Sequence, residues 1–380
     1  MIYFDNSATT QPCEAAIVKM REAAESIWGN PSSLHQAGLR AHHLVEDARA
    51  QILTALGVRG SASGTLFFCG SGTEADNLAV FGTAYAKKSG RVKRIVTTDS
   101  EHPAILEPCK QLEARGDFEI VRLSTRGGKL DLAELEEAIT PDTILLSVMT
   151  VNNETGACYD VKSAFSIAKQ KQPQIVTHTD AVQAFRKIPF SATSLGADLV
   201  TISGHKIHGP KGIGALYVAN AVLKAKKLVP LIYGGGQENG MRSGTENTIG
   251  IAGFGAAAAQ PVSMEQAAQV RAYLLAHLPQ GVQANLPAVA APHILNLTIP
   301  GLKSETLLND LSQNGICISA GSACASHGKH VSHVLLAFGL SAKEADCSVR
   351  VSLQETSTIA EADAFLAALQ TSLATRARIR

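Results

Sequence analysis

Leu199-Val200-Thr201-Ile202 followed by Ser203-Gly204-His205-Lys206, then Gly209-Pro210-Lys211-Gly212-Ile213-Gly214, is the stretch on which the fold turns. The apolar run predicts a strand over 199–202, and the lysine falls just beyond its carboxyl end. Upstream, His178-Thr179-Asp180-Ala181-Val182-Gln183 closes a second apolar run and supplies a carboxylate and a carboxamide. A lysine just past one apolar run and an aspartate upstream can serve the two ends of a pyridoxal phosphate (PLP) cofactor. The amine forms a Schiff base with the aldehyde, while the carboxylate keeps the pyridine nitrogen protonated so that the ring can accept electrons. A His-Lys pair alone is weak, because most lysines are solvated surface charges. The ordered set Asp180, Gln183, Ser203, His205 and Lys206 is far more specific.

Around this core, helical-period segments alternate with short β-rich runs from about residue 15 to 255, which predicts a wound α/β layer. Strands are expected at 65–69, 94–97, 118–123, 143–149, 175–179, 199–202 and 215–218. Helices are expected to begin near Leu39, Thr73, Ala104, Leu132 and Ser163, with a stop at Gly57 and an N-cap at Asp131. Pro261, after the alanines at 256–259, marks a boundary. The remainder reads helix, strand, helix, strand, with strands at 293–299 and 348–353, as a smaller α+β domain. The final Arg376-Ala377-Arg378-Ile379-Arg380 reads as a frayed tail.

Whole-chain properties exclude several classes of function. The chain has 380 residues, 34 Lys+Arg and 33 Asp+Glu, so its formal charge of +1 gathers neither nucleic acid nor anionic lipid. Its beginning, MIYFDNSATT, lacks a basic region with a long apolar run, and no segment has the composition of a spanning helix. The seven cysteines are odd in number and scattered, which fits free thiols in a reducing compartment; the expectation is cytoplasmic.

Three further segments carry chemistry. Cys69-Gly70-Ser71-Gly72-Thr73-Glu74 joins a predicted strand to a predicted helix, so its backbone N–H groups and the Thr73 hydroxyl can cradle a phosphate. Glu101-His102 follows the strand at 94–97, at the end where open α/β sheets place ligands. An imidazole there can stack on the pyridine ring and shuttle protons. Asn152-Asn153-Glu154 follows the strand at 143–149; Asn153 can bond the cofactor oxygen or a substrate carboxylate, or the run is a turn of Asx residues.

The strings FDNSATT, GNPSSLHQAG, SGTEADNLA, SEHPAI, NNETG, HTDAVQ, SGHKIHGPKGIGALY, GGGQENGMRSGTEN and SAGSACAS resemble, in order and nearly end to end, group I cysteine desulfurases of the NifS/IscS type. These belong to the class V aminotransferase group of fold-type I PLP enzymes. The resemblance implies a large PLP-binding α/β domain over 14–257 with a mainly parallel seven-stranded sheet. A small α+β domain, over 1–13 and 258–380, would carry a catalytic-cysteine loop at about 319–332. It implies Lys206 as the Schiff-base lysine, His102 on the ring, Asp180 at the pyridine nitrogen and Gln183 at the ring hydroxyl. Gly72, Thr73, Ser203 and His205 would hold the phosphate, joined by Thr245 from a second subunit, which makes the enzyme a homodimer. Asn153 and Arg350 would take the carboxylate of L-cysteine, the planar arginine fork binding it bidentately.

Cys324 lies in Ser319-Ala320-Gly321-Ser322-Ala323-Cys324-Ala325-Ser326, small residues with no packing residue until Val331. Such a run makes a mobile loop able to bring a thiol into a site and carry it away, whereas Cys69 and Cys317 sit in apolar, strand-like sequence. The implied activity is conversion of L-cysteine to L-alanine, with the sulfur kept as a Cys324 persulfide and passed to an acceptor such as an IscU-like scaffold. That acceptor would serve iron–sulfur cluster assembly, transfer-RNA thiolation or both. Rival readings are an aminotransferase or other lyase on the same fold, which needs no loop thiol, and a relay subunit without turnover. Two departures bear on partner choice: Gln354-Glu355 after the arginine strand, and a C-terminus shorter than that of housekeeping members. His327, His330 and His333 follow Cys324 at three-residue intervals. This is no standard zinc pattern, and no metal ligand is firmly assigned. With a scaffold bound, Cys324, His327 and His330 could help hold iron or zinc.

Overall fold

The computed structural model describes residues 1–58, 63–86, 92–321 and 331–377. Cys324, His327 and His330 therefore lie outside the described residues. The centre is a seven-stranded sheet in the order Gly64–Cys69, Gly214–Ala219, Leu199–Ser203, Val176–Asp180, Thr143–Ser147, Lys93–Thr98, Phe118–Leu123. Neighbours pair in parallel, except Gly214–Ala219, which runs antiparallel to both of its own neighbours.

The sequence pattern accounts for this layer. Ile95, Leu145 and Leu199 point into one apolar core, while Val96, Leu146 and Val200 point into the other. Strands apolar at successive positions are stable only when both faces are covered. Gly72–Ala86 and Pro103–Ala114 cover one face; Gln36–Ala55, Val161–Lys171 and Thr248–Ala258 cover the other. The last of these is apolar all round, and its small residues allow close packing. A Cβ on Gly255 would lie 2.6 Å from Ala48 Cβ in the facing helix.

The expected stop and cap are both present. The helix Gln36–Ala55 ends at Gly57, whose φ of 70° is left-handed. The Asp131 side chain accepts from the backbone N–H of Ala133 and Glu134. The helix expected near Leu39 starts at Gln36, because His35 caps it by accepting from Gly38 N; a helix at Glu14–Ser26, not among the expected ones, precedes it.

A second sheet places Ile294–Thr298 between Ser348–Ser352 and Gln283–Ala284, all antiparallel. Its core gathers Phe4 with residues of Glu265–Ala276, Ser304–Gln313 and Ile359–Ala377. The chain's beginning joins this part through parallel pairing of Ile2–Tyr3 with Ile316–Cys317. The sequence reading of helix, strand, helix, strand omits the closing helix Ile359–Ala377, which reaches into the segment taken as a frayed tail. Its alanine-rich sequence muted the signal, since alanine marks no face strongly.

Candidate active site

A pocket of about 200 Å³ opens at the carboxyl ends of the parallel strands. Its walls include Ser7, Gly72, Thr73, Asp76, His102, Asn153, Asp180, Gln183, Ser203, His205, Lys206 and Arg350. Lys206 is delivered by the strand Leu199–Ser203 and a short turn Gly204–Lys206. Its Nζ donates to the carbonyl oxygens of Ser7 at 2.6 Å and Ala8 at 2.7 Å. The FDNSATT string thus reaches Lys206 through backbone atoms, which no side-chain pattern advertises.

Asp180 ends its strand with Oδ1 accepting from Val182 N at 2.9 Å. Burial raises its pKa to about 6, opposed by that bond and by the charge on Lys206. Behind it lies Asp76, a fully buried carboxyl pushed well above its usual range by burial and then by Asp180. Asp76 Oδ1 is 3.7 Å from His178 Nε2. Two buried carboxyls so close disfavour double ionisation. The sequence reading missed Asp76 because it sits inside a helix, where an aspartate reads as solvated.

His102 caps the helix Pro103–Ala114, its Nδ1 accepting from Ala104 N at 3.1 Å. That bond leaves Nε2 as the nitrogen free to exchange protons. Burial lowers its pKa to about 4, helped by Lys206 and His333, so the ring is neutral at pH 7. Glu101, buried beside it, accepts from Thr98 Oγ1 at 2.8 Å and Met149 N at 2.9 Å, and burial pushes it up to about 8. His333 is a correction to its grouping with the loop histidines. It begins the helix His333–Phe338, and its Nε2 lies 3.0 Å from Glu101 O.

Another side of the pocket is formed by the turn from Cys69 into Gly72–Ala86, with Thr73 exposed at the helix start. A Cβ on Gly72 would meet Val182 Cγ2 at 3.2 Å and Ser203 Cβ at 3.3 Å, so the turn lies close against the floor of the pocket. His205 places Nδ1 3.2 Å from Thr9 Oγ1, and burial with Lys206, Lys211 and Lys187 lowers its pKa to about 3. Gln183 donates through Nε2 to Ser7 O at 2.9 Å.

At the other end, Asn152 builds the Asx turn, its Oδ1 accepting from Glu154 N and Thr155 N. The next residue, Asn153, keeps a buried Oδ1 with no partner among the described residues, as do Ser7 Oγ and Arg350 Nε. Orphaned polar atoms in one pocket indicate a polar occupant. Arg350 donates to Asn153 O at 2.8 Å and to Asp5 Oδ1 at 2.9 Å. Glu154 accepts from Ser332 Oγ at 2.6 Å, and a Cβ on Gly321 would come within 3.0 Å of Glu154 Oε2. One buried carboxyl therefore bonds Ser332 and lies beside Gly321, described residues on either side of the segment that contains Cys324.

The residues of the pocket fit PLP: an aldehyde-reactive lysine amine, a buried carboxyl, and a glycine turn with hydroxyls all line it. The matching family model, "Aminotransferase class-V", covers residues 2–365. The chain belongs to the class V aminotransferase family. Enzymes of this class depend on PLP, and the class V fold explains the mainly parallel sheet. A protein of Trichormus azollae named "Cysteine desulfurase" is 39% identical over 373 residues, covering 96% of this chain and 90% of its own. The solved structure titled "NIFS-LIKE PROTEIN" matches with a TM-score of 0.89 at 34% identity, covering 98% of this chain and 99% of its own. Another, "SspA in complex with cysteine", matches with a TM-score of 0.82 at 32% identity, covering 93% and 99%.

Not every expected class V residue enters the pocket. Thr245 is exposed and lines no part of it. Cys69 is buried with its thiol pushed up by burial, whereas Cys317, grouped with it, is half-buried. Gln354 closes a turn by bonding Thr356 Oγ1 and Ser357 Oγ, while Glu355 Oε2 reaches His208 Nε2 at 3.2 Å. That contact ties the turn to the loop after Lys206. No group of three or more potential metal ligands occurs among the described residues, and no helix there is long and apolar enough to cross a membrane.

Proposed function

We propose that this chain is a PLP-dependent cysteine desulfurase, converting L-cysteine to L-alanine and retaining the sulfur on Cys324. What carries the reading is the 39% identity to a cysteine desulfurase across 96% of the chain, joined to Lys206 and Asp180 lining one pocket. Asp180, Gln183, His102, Gly72, Thr73, Ser203 and His205 hold PLP, with Lys206 as its covalent anchor. Bound there, PLP supplies an electron sink for the substrate α-carbon.

The chain's own groups do the rest. Arg350 and Asn153 take the substrate carboxylate, which fixes the α-carbon over Lys206. The Lys206 amine takes the α-proton, and neutral His102 exchanges protons through Nε2. The Cys324 thiolate attacks the substrate sulfur: the S–S bond forms as the substrate Cβ–S bond breaks. Protonation of the carbon skeleton gives alanine. The balance is L-cysteine plus enzyme thiol to L-alanine plus enzyme persulfide, with no outside oxidant.

The working form is a homodimer in which Thr245, exposed and not lining its own pocket, completes the phosphate site of a second copy. The sulfur acceptor is a scaffold of the IscU-like kind, used for iron–sulfur assembly, transfer-RNA thiolation or both, in the cytoplasm, where thiols stay reduced.

The test compares wild type with Cys324→Ala for sulfide and alanine release from L-cysteine in the presence of PLP and reductant. Equal amounts of both products from wild type, and neither from the variant, support the reading. Alanine or pyruvate still formed without Cys324 would make the chain a general lyase or aminotransferase.

A further inference from the structure

Lys187 is a lysine buried where nothing in the proposed chemistry uses one; only 8% of it is exposed. Arg186, the residue before it, holds a left-handed φ of 62°. Lys187 Nζ then donates to Gln183 Oε1 at 2.9 Å. On the far side of the same carboxamide, Gln183 Nε2 donates to Ser7 O at 2.9 Å, and Ser7 O also accepts from Lys206 Nζ at 2.6 Å. A continuous path thus runs from the buried lysine through the amide to the anchor of the cofactor lysine.

We propose that Lys187 is a positioning residue that locks the Gln183 carboxamide with its nitrogen facing the cofactor pocket. The reason is donor inventory. An ammonium group has three N–H donors and no acceptor, so it can face only the amide oxygen. A flipped amide would set NH₂ against NH₃⁺ and Oε1 against the Ser7 carbonyl, replacing two attractions with two repulsions. In the locked orientation one amide N–H serves Ser7 O, and the second is left to donate to an oxygen in the pocket.

A buried ammonium is costly unless it gains something. Around Lys187 stand the cations Lys206 and Arg350 and the carboxylate Glu355, with Arg186 and His208 lining the same recess. Burial, then Lys206 and Arg350, push its pKa down to about 7, with Glu355 opposing, so the ammonium form that orients the amide is the one present below that value. An apolar side chain of that length would fill the space at lower cost, so stability does not explain a lysine here; orienting Gln183 does.

The inference rests on the reading that Gln183 touches PLP, and a double-mutant cycle separates the two. Resolved wild-type, Lys187→Met, Gln183→Ala and double-variant proteins are titrated with PLP, following the visible absorbance of bound cofactor. Their denaturant midpoints without cofactor are measured alongside. The expected result is about ten-fold weaker binding for Lys187→Met, the scale of one hydrogen bond. In the Gln183→Ala background the same change alters binding less than about two-fold, because its target is gone. The apoprotein midpoint of Lys187→Met stays the same or rises. Additive losses, or failure of Lys187→Met to fold, overturn the inference and leave the cofactor reading standing. Full affinity in Gln183→Ala overturns both.

Discussion

Arg350 reaches the pocket already held: its guanidinium donates to Asp5 Oδ1 at 2.9 Å and to Asn153 O at 2.8 Å, and the residue is 1% exposed. These two anchors use one N–H on each terminal nitrogen and leave the remaining donors, Nε among them, for an anion. Asp5 comes from the chain's beginning and Asn153 from a loop of the main sheet, so the cation is fixed by both parts of the fold. A lysine cannot reproduce this, because one ammonium cannot span both anchors and still present a flat pair of donors. For Arg350→Lys we expect KM for L-cysteine to rise about ten- to a hundred-fold, the value of one charge-assisted hydrogen bond, with a smaller change in kcat. Steady-state kinetics on protein saturated with PLP measure this. An unchanged KM would remove Arg350 from the carboxylate site.

Gly214 and Gly212 make a matched pair for testing the phosphate turn. A Cβ on Gly214 would fall 2.4 Å from Ser71 C and 2.6 Å from Gly72 N, both backbone atoms with nowhere to retreat. At Gly212 a Cβ meets nothing within 4 Å, and only the left-handed φ of 75° is strained. Gly214→Ala is expected to lose about 1–3 kcal/mol by overpacking and to weaken PLP binding, since the displaced backbone, Ser71–Gly72, is the turn proposed to hold the phosphate. Gly212→Ala should cost about 1 kcal/mol and bind PLP normally. Absorbance titration and denaturant melts read both quantities; equal PLP affinity in the two variants would show that the Ser71–Gly72 turn does not hold the cofactor.

The same glycines show how far sequence alone reaches. The strand ends that carry Lys206, Asp180 and His102 were legible because apolar runs ending in polar residues are local signals. The antiparallel pairing of Gly214–Ala219 with Gly64–Cys69 was not, since pairing partners are far apart in sequence. Nor were Ser7, Ala8 and Lys187: the first two contribute carbonyl oxygens, which any residue has, and a buried lysine is written like a solvated one. Asp76 was hidden for a related reason, because only tertiary packing places its carboxyl behind Asp180.

His178 provides a pH signature for that buried layer. Its Nδ1 lies 2.8 Å from Ser147 Oγ and its Nε2 3.0 Å from Thr201 Oγ1, and burial lowers its pKa to about 3. In the unfolded chain the same imidazole titrates near ~6.5. Between these values the unfolded state binds a proton that the folded state refuses. The stabilisation is therefore complete above the unfolded value and is lost as pH falls through the window toward the folded one. Glu101, raised to about 8, and Asp180, raised to about 6, act with the opposite sign, losing their contribution as pH rises. Comparing wild type with His178→Gln largely cancels both, because each protein keeps them. The wild-type unfolding free energy should fall more steeply than the variant's below pH ~6, by up to about 1.4 kcal/mol per pH unit. Parallel curves from guanidinium melts between pH ~6 and ~4 would mean that His178 is protonated in the folded protein, with its charge shared by Asp76 across the 3.7 Å gap.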